Sequence, residues 1–125
     1  MSRVLVVALG GALGAIARYG VSLAVAAFWR REFPLATFLI NVTGCFILGY
    51  FATLAAQRMA VDPLWRLFIA TGFVGAYTTF STFEYETFRS FQDGELLMAG
   101  LNVALSVAIG FVFVWLGVIT GRSIS

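Results

Sequence analysis

Histidine and lysine are absent from this 125-residue chain, cysteine occurs once, proline twice, and charge is scarce. Without histidine, no imidazole proton relay or histidine metal site can form. Cys45 has no intrachain disulfide partner, and its place inside an apolar run marks it as a packing residue. Only 14 side chains are charged, 11% of the chain, against about 25% in a soluble domain. So few charges cannot cover a water-facing surface. That excludes a soluble enzyme, a nucleic-acid binder and a disordered linker. The net charge of +2, its positive part all arginine, is too small a basic excess to hold nucleic acid.

What the chain does have is apolar length. Hydrophobic residues make up 61% of it, and its mean hydropathy is +0.95. A membrane span needs roughly 20 apolar residues, so this composition predicts four spans with short connections in one transmembrane domain over 1–125. The predicted all-α spans are 4–28, 35–56, 64–88 and 96–119. The first run exceeds the roughly 7–15 apolar residues of a signal peptide and is expected to be a retained helix. Trp29 to Pro34 forms the first loop. Asp62 is placed to cap the helix that Pro63 opens after the second loop.

Arginine asymmetry normally sets orientation. Arg3, Arg58, Arg66 and Arg122 fall on one side; Arg30, Arg31 and Arg89 fall on the other, with Arg18 if it reaches that interface. This balance is compatible with insertion in both orientations, and equally with a weak signal in a small protein. A bundle of four helices fills its own interior, so a transport path would lie between subunits or in a tight groove. Small residues at Gly10 and Gly14, and at Ser106, Gly110 and Gly117, favour close helix contact.

Polar side chains inside apolar spans need partners or a path to line. Thr37, Asn41 and Gly44 or Cys45 follow one another at one-turn spacing, and Asn102 and Ser106 share a face four residues apart. The segment 71–83, TGFVGAYTTFSTF, is poor material for a continuous helix: two glycines are followed by hydroxyl residues that compete for the backbone. A break is predicted near Gly75 to Thr79, in mid-membrane. Carbonyls freed there would suit a small hard cation; amide donors with the Ser81 and Thr82 hydroxyls would suit an anion. Phe80 and Phe83 share a face if the helix resumes, and their positive ring edges could face an anion or simply pack. Glu84 and Glu86 follow, within reach of Arg89. Arg18 lies deep in its run, as a vestibule charge or a snorkelling helix-end residue.

Three segments carry a family resemblance: GGALGAIARYG at 10–20, ATFLINVTGCFILGY at 36–50 and GFVGAYTTFSTFEYETF at 72–88. In order, spacing and chain length they resemble the signatures of the Fluc/CrcB fluoride channel family. The resemblance implies an antiparallel, dual-topology homodimer in a bacterial inner membrane, with two passive fluoride pores. It also implies a structural sodium ion at the dimer axis, held by main-chain carbonyls of Gly75 and Thr78 from each subunit. By the same resemblance Asn41 is the pore asparagine, Phe80 and Phe83 the aromatic pair, and Ser81 and Thr82 the hydroxyl track. Glu86, Arg18, Asn102 and Ser106 complete the implied path. Glu84 and Ala36 depart from the family pattern, which usually has a small or hydroxyl residue and a glycine there.

Fluoride is small and strongly hydrated, so its passage needs donors that replace water without holding it tightly. No nucleotide motif or catalytic pair appears, and passive conduction with no catalytic step is expected. A small multidrug-type exporter would need a membrane-embedded acid in the first helix, and none is there. A non-conducting assembly subunit would explain the composition but not the irregular third span.

Overall fold

The structure is a computed structural model that describes residues 2–57 and 62–124. Among these residues every element is helical: α1 (Arg3–Ala26), α2 (Leu35–Gln57), α3 (63–77), α4 (Phe80–Gln92) and α5 (Leu96–Ile124). α1, α2 and α5 are long and apolar enough to cross a membrane. Apolar side chains such as Val4, Phe111 and Leu97 are 70–78% exposed on the outside of the bundle. In water that surface would be costly; against lipid or a second chain it is not. Residues 58–61, including the Arg58 of the charge tally, lie outside the described residues.

The helix ends have local causes. α1 stops at Ala26, two residues short of the expected Phe28, and the Trp29 indole N–H closes the following loop on the Phe33 carbonyl at 2.7 Å. Asp62 accepts the Leu64 amide at 2.8 Å and Pro63 occupies the first helical position, the predicted start of the third span. α4 runs to Gln92, four residues beyond the expected Phe88. It ends where Gly94, at φ 79°, turns the chain into a left-handed conformation. α5 continues to Ile124, past the expected Ile119.

α2 lies along α5, and α1 lies along α3. Both pairs depend on close backbone approach. A side chain at Gly14 would collide with the Phe73 carbonyl, and one at Gly10 with that of Phe68. The small-residue stripe on α1 therefore seats α3 directly against its backbone. The α3 residues so seated, Leu67–Val74, are wound as a π-helix rather than an α-helix. No local pattern announces that winding; it accompanies the contact with α1.

The helical run from α3 into α4 is interrupted. Helical structure stops at Tyr77, Thr78 and Thr79 are extended, and helical structure resumes at Phe80. Both extended residues fall inside the stretch 75–79 singled out from the sequence. α4 then packs chiefly on α5 and touches α2 only lightly. Arg66 ties the start of α3 to the end of α2 through the Ala55 carbonyl at 3.0 Å.

Candidate functional site

Around the interruption, several of the freed backbone groups have side-chain partners. A continuous helix would give the Thr79 amide to the Gly75 carbonyl and the Thr82 amide to the Thr78 carbonyl. Instead the Thr79 amide goes to Asn41 Oδ1 at 2.8 Å, and the Thr82 amide goes to Thr79 Oγ1 at 3.2 Å. Asn41 also donates from Nδ2 to the Thr79 carbonyl at 3.0 Å, so one amide side chain grips both polar groups of one backbone residue. The Ala76 carbonyl accepts from Arg18 Nε at 3.1 Å, and the Val74 carbonyl accepts both the Thr78 amide and its hydroxyl. The Gly75 and Thr78 carbonyls are thus among those that lose their helical donors, here to Asn41 and to the Thr79 side chain.

These contacts explain why the local sequence folds this way. Thr79 serves as the cap of α4, the usual work of a threonine before a helix. Gly44 makes room: a side chain there would collide with the Thr78 methyl group. The Tyr77 hydroxyl meets Thr43 Oγ1 at 2.8 Å, and its ring stacks on Phe73 at 5.8 Å. A cavity of about 260 Å³ opens beside the interruption, lined among others by Asn41, Gly44, Cys45, Thr78, Thr79 and Phe80.

The aromatic pair is close but not equivalent. The Phe80 and Phe83 rings are 6.0 Å apart and tilted by 49°. Phe83 is buried at 7% exposure, whereas Phe80 is 75% exposed. Ser81 is exposed and Thr82 half-buried on the same first turn of α4.

A second polar cluster lies between α4 and α5. Ser106 donates to Asn102 Oδ1 at 3.2 Å, Asn102 Nδ2 donates to Thr87 Oγ1 at 2.8 Å, and Thr87 donates to the Phe83 carbonyl at 2.8 Å. Asn102 is only 1% exposed. The sequence marked Asn102 and Ser106 but not Thr87, whose signal was its place one turn after Phe83.

Glu86 lies beside the buried Thr37, with its Oε1 enclosed and without a hydrogen-bond partner among the described residues. It lines a cavity of about 440 Å³ near the two loops, together with Arg31, Glu32, Arg89, Asp93 and Glu95. At that mouth the Glu32 charge, and hydrogen bonding to the same carboxyl, push the Glu95 carboxyl above its ordinary 4.5. Glu84 stands apart, exposed in a separate groove with Thr87, Phe88 and Leu96. The predicted site residues therefore fall in three neighbourhoods of one chain. Arg18, Asn41, Gly75, Thr78 and the first turn of α4 surround the interruption. Glu86 faces the loop cavity, and Asn102 and Ser106 join α4 to α5.

The sequence has relatives among known proteins. The family model described as "CrcB-like protein, Camphor Resistance (CrcB)" matches residues 5–118. A protein of Acidobacterium capsulatum named Fluoride-specific ion channel FluC is 52% identical over 118 residues, 94% of each chain. Proteins of the same name from Geotalea uraniireducens and a Sulfurihydrogenibium species are 44% and 42% identical. The first alignment covers 99% of this chain and 100% of its relative, and the second 98% of each. With a match along nearly its whole length, the chain belongs to the CrcB family.

Proposed function

We propose that this chain is a fluoride-selective channel of the bacterial inner membrane, conducting passively and lowering cytoplasmic fluoride. The conducting role rests on the interrupted third span, where backbone donors and acceptors are exposed among apolar helices and taken up by Asn41 and Arg18. The identity of the ion rests on the relatives' shared name. Irregular backbone at membrane depth is stable only where protein buries it or a cavity receives it, and the interruption meets that condition if it lies in mid-membrane.

In this proposal two copies pair antiparallel within one membrane, each a single four-helix domain, so that the balanced arginines serve both orientations. The exposed Phe80 ring and the open cavity beside Asn41 then receive the other copy, and a narrow path runs on each side. Fluoride passes the Asn41 amide, the edges of Phe80 and Phe83 and the hydroxyls of Ser81 and Thr82. Glu86 stands at the loop end, and Asn102 and Ser106 stand in the wall. Ring edges and neutral donors attract the anion without a full charge to trap it. Arg18 holds the Ala76 carbonyl and adds positive potential near the entrance.

A structural sodium ion fits the residues present. Its ligands would be the Gly75 and Thr78 carbonyls, two from each copy, oxygens suited to a hard cation and left without their helical donors. When bound, the ion supplies positive charge that balances these carbonyl dipoles. The small multidrug-type alternative is not favoured, because α1 carries no acidic residue.

The test is efflux from liposomes reconstituted with the purified protein, followed by a fluoride electrode under a potassium diffusion potential. Rapid fluoride efflux with no matching chloride efflux is expected. No fluoride efflux, or equal rates for chloride, overturns the proposal.

A further inference from the structure

Asn102 is the most buried polar side chain among the described residues, and its environment settles which way its amide faces. Thr87 has one hydroxyl proton and gives it to the Phe83 carbonyl at 2.8 Å. Thr87 Oγ1 can therefore only accept, and Asn102 must present its NH₂ group at 2.8 Å. Its Oδ1 then faces Ser106, which donates to it at 3.2 Å. The result is a chain of hydrogen bonds with one direction, Ser106 to Asn102 to Thr87 to Phe83, starting on α5 and ending on the backbone of α4.

α4 needs such a tie. Two extended residues separate it from α3, so no helical ladder transmits α3's rotation to it. It leans chiefly on α5, along a narrow strip that includes Phe83 and Thr87, while Phe80, Tyr85, Phe88 and Phe91 are 54–75% exposed. An apolar strip of that width tolerates rotation, because rings and methyls can slide with little loss of contact. A hydrogen bond does not. A rotation of about 20° would carry an oxygen roughly 5 Å from the helix axis through about 1.7 Å, enough to break it.

We propose that Asn102 is a positioning residue, which through Thr87 fixes the rotation of α4 on α5 and thereby the direction in which Phe80 and Phe83 present their rings. The inference rests on the fluoride-channel proposal for the meaning of those rings. It assigns Asn102 no contact with the ion: its amide is enclosed and engaged on both sides.

The test uses full-length Asn102→Leu, Thr87→Val and the double variant, each purified as the wild-type assembly. Two quantities are measured: fluoride efflux from liposomes, and the ¹⁹F resonance of 4-fluorophenylalanine placed at position 83. Each single variant is expected to slow efflux at least tenfold and to broaden or split the single wild-type resonance. The double variant removes both polar partners, which relieves the buried unsatisfied group and restores thermal stability towards wild type. It is nevertheless expected to keep the slow efflux and the broadened resonance, whereas a merely structural role would restore both along with stability. Thr87→Val with wild-type efflux and one sharp resonance overturns the proposal, and so does a double variant with both restored. If Asn102→Leu fails to fold, Thr87→Val decides alone. The resonance stands apart from conduction: a wild-type protein without fluoride efflux would refute the channel proposal, while the ¹⁹F comparison would still test the positioning of α4.

Discussion

Asn41→Leu removes the one side chain that grips both polar groups of Thr79. At about 1 kcal/mol net for each hydrogen bond, the interrupted backbone loses about 2 kcal/mol, a factor of roughly 30 in its population. Groups left unsatisfied would raise that cost to about 1–3 kcal/mol each, so the chain has reason to rearrange. The nearest refuge for the Thr79 amide is the Gly75 carbonyl, its partner in a continuous helix. Asn41→Leu is therefore expected to favour a continuous third span, to consume a carbonyl proposed for sodium, and to slow fluoride efflux from liposomes about thirtyfold. Asn41→Asp keeps the acceptor for the Thr79 amide but turns a carboxylate towards the Thr79 carbonyl, and a comparable loss is expected. An Asn41→Leu protein with wild-type efflux would refute the reasoning.

Three further outcomes follow from named contacts. Gly14→Ala places a methyl against the Phe73 carbonyl and should cost about 1–3 kcal/mol in thermal unfolding, whereas Gly20→Ala, with nothing within 4 Å, should not destabilise. Arg18→Gln removes the guanidinium from the Ala76 carbonyl; a loss of about 1.5 kcal/mol in the same melts and slower efflux are expected, partly recovered in Arg18→Lys. Glu95 binds its proton more tightly in the folded protein than its ordinary value of 4.5. The folded state is thus favoured at acid pH, and that advantage is lost as pH rises above 4.5 through the raised value. Glu95→Gln should accordingly melt higher than wild type at pH 7, with the difference disappearing below about pH 4.

Local chemistry carries much of this protein's outline. Lengths of apolar run, Pro63 with its capping Asp62, and the Thr-rich stretch after Gly75 were all visible in the residues, because each acts within a turn or two of itself. Helix ends were less legible: α4 outlasts Phe88 because its stop signal is the turn at Gly94, not the end of an apolar run. The polar face of Asn41 and the pair Asn102–Ser106 could be marked as needing partners, but the partners could not be named. Thr79 lies 38 residues from Asn41, and Ala76 lies 58 from Arg18.

By itself, the sequence determined that the chain is built of long apolar helices suited to a membrane, and where the stretch after Gly75 resists a regular helix. Those follow from solvation and backbone propensity, which are properties of each segment alone. Only the tertiary structure decided that Asn41 holds Thr79, that Arg18 holds Ala76, that Leu67–Val74 of α3 wind as a π-helix against the glycines of α1, and that Thr87 completes the tie from Asn102 to Phe83. In an apolar medium a polar group takes whichever partner packing brings within 3 Å, and that partner is fixed by the arrangement of helices rather than by neighbours along the chain.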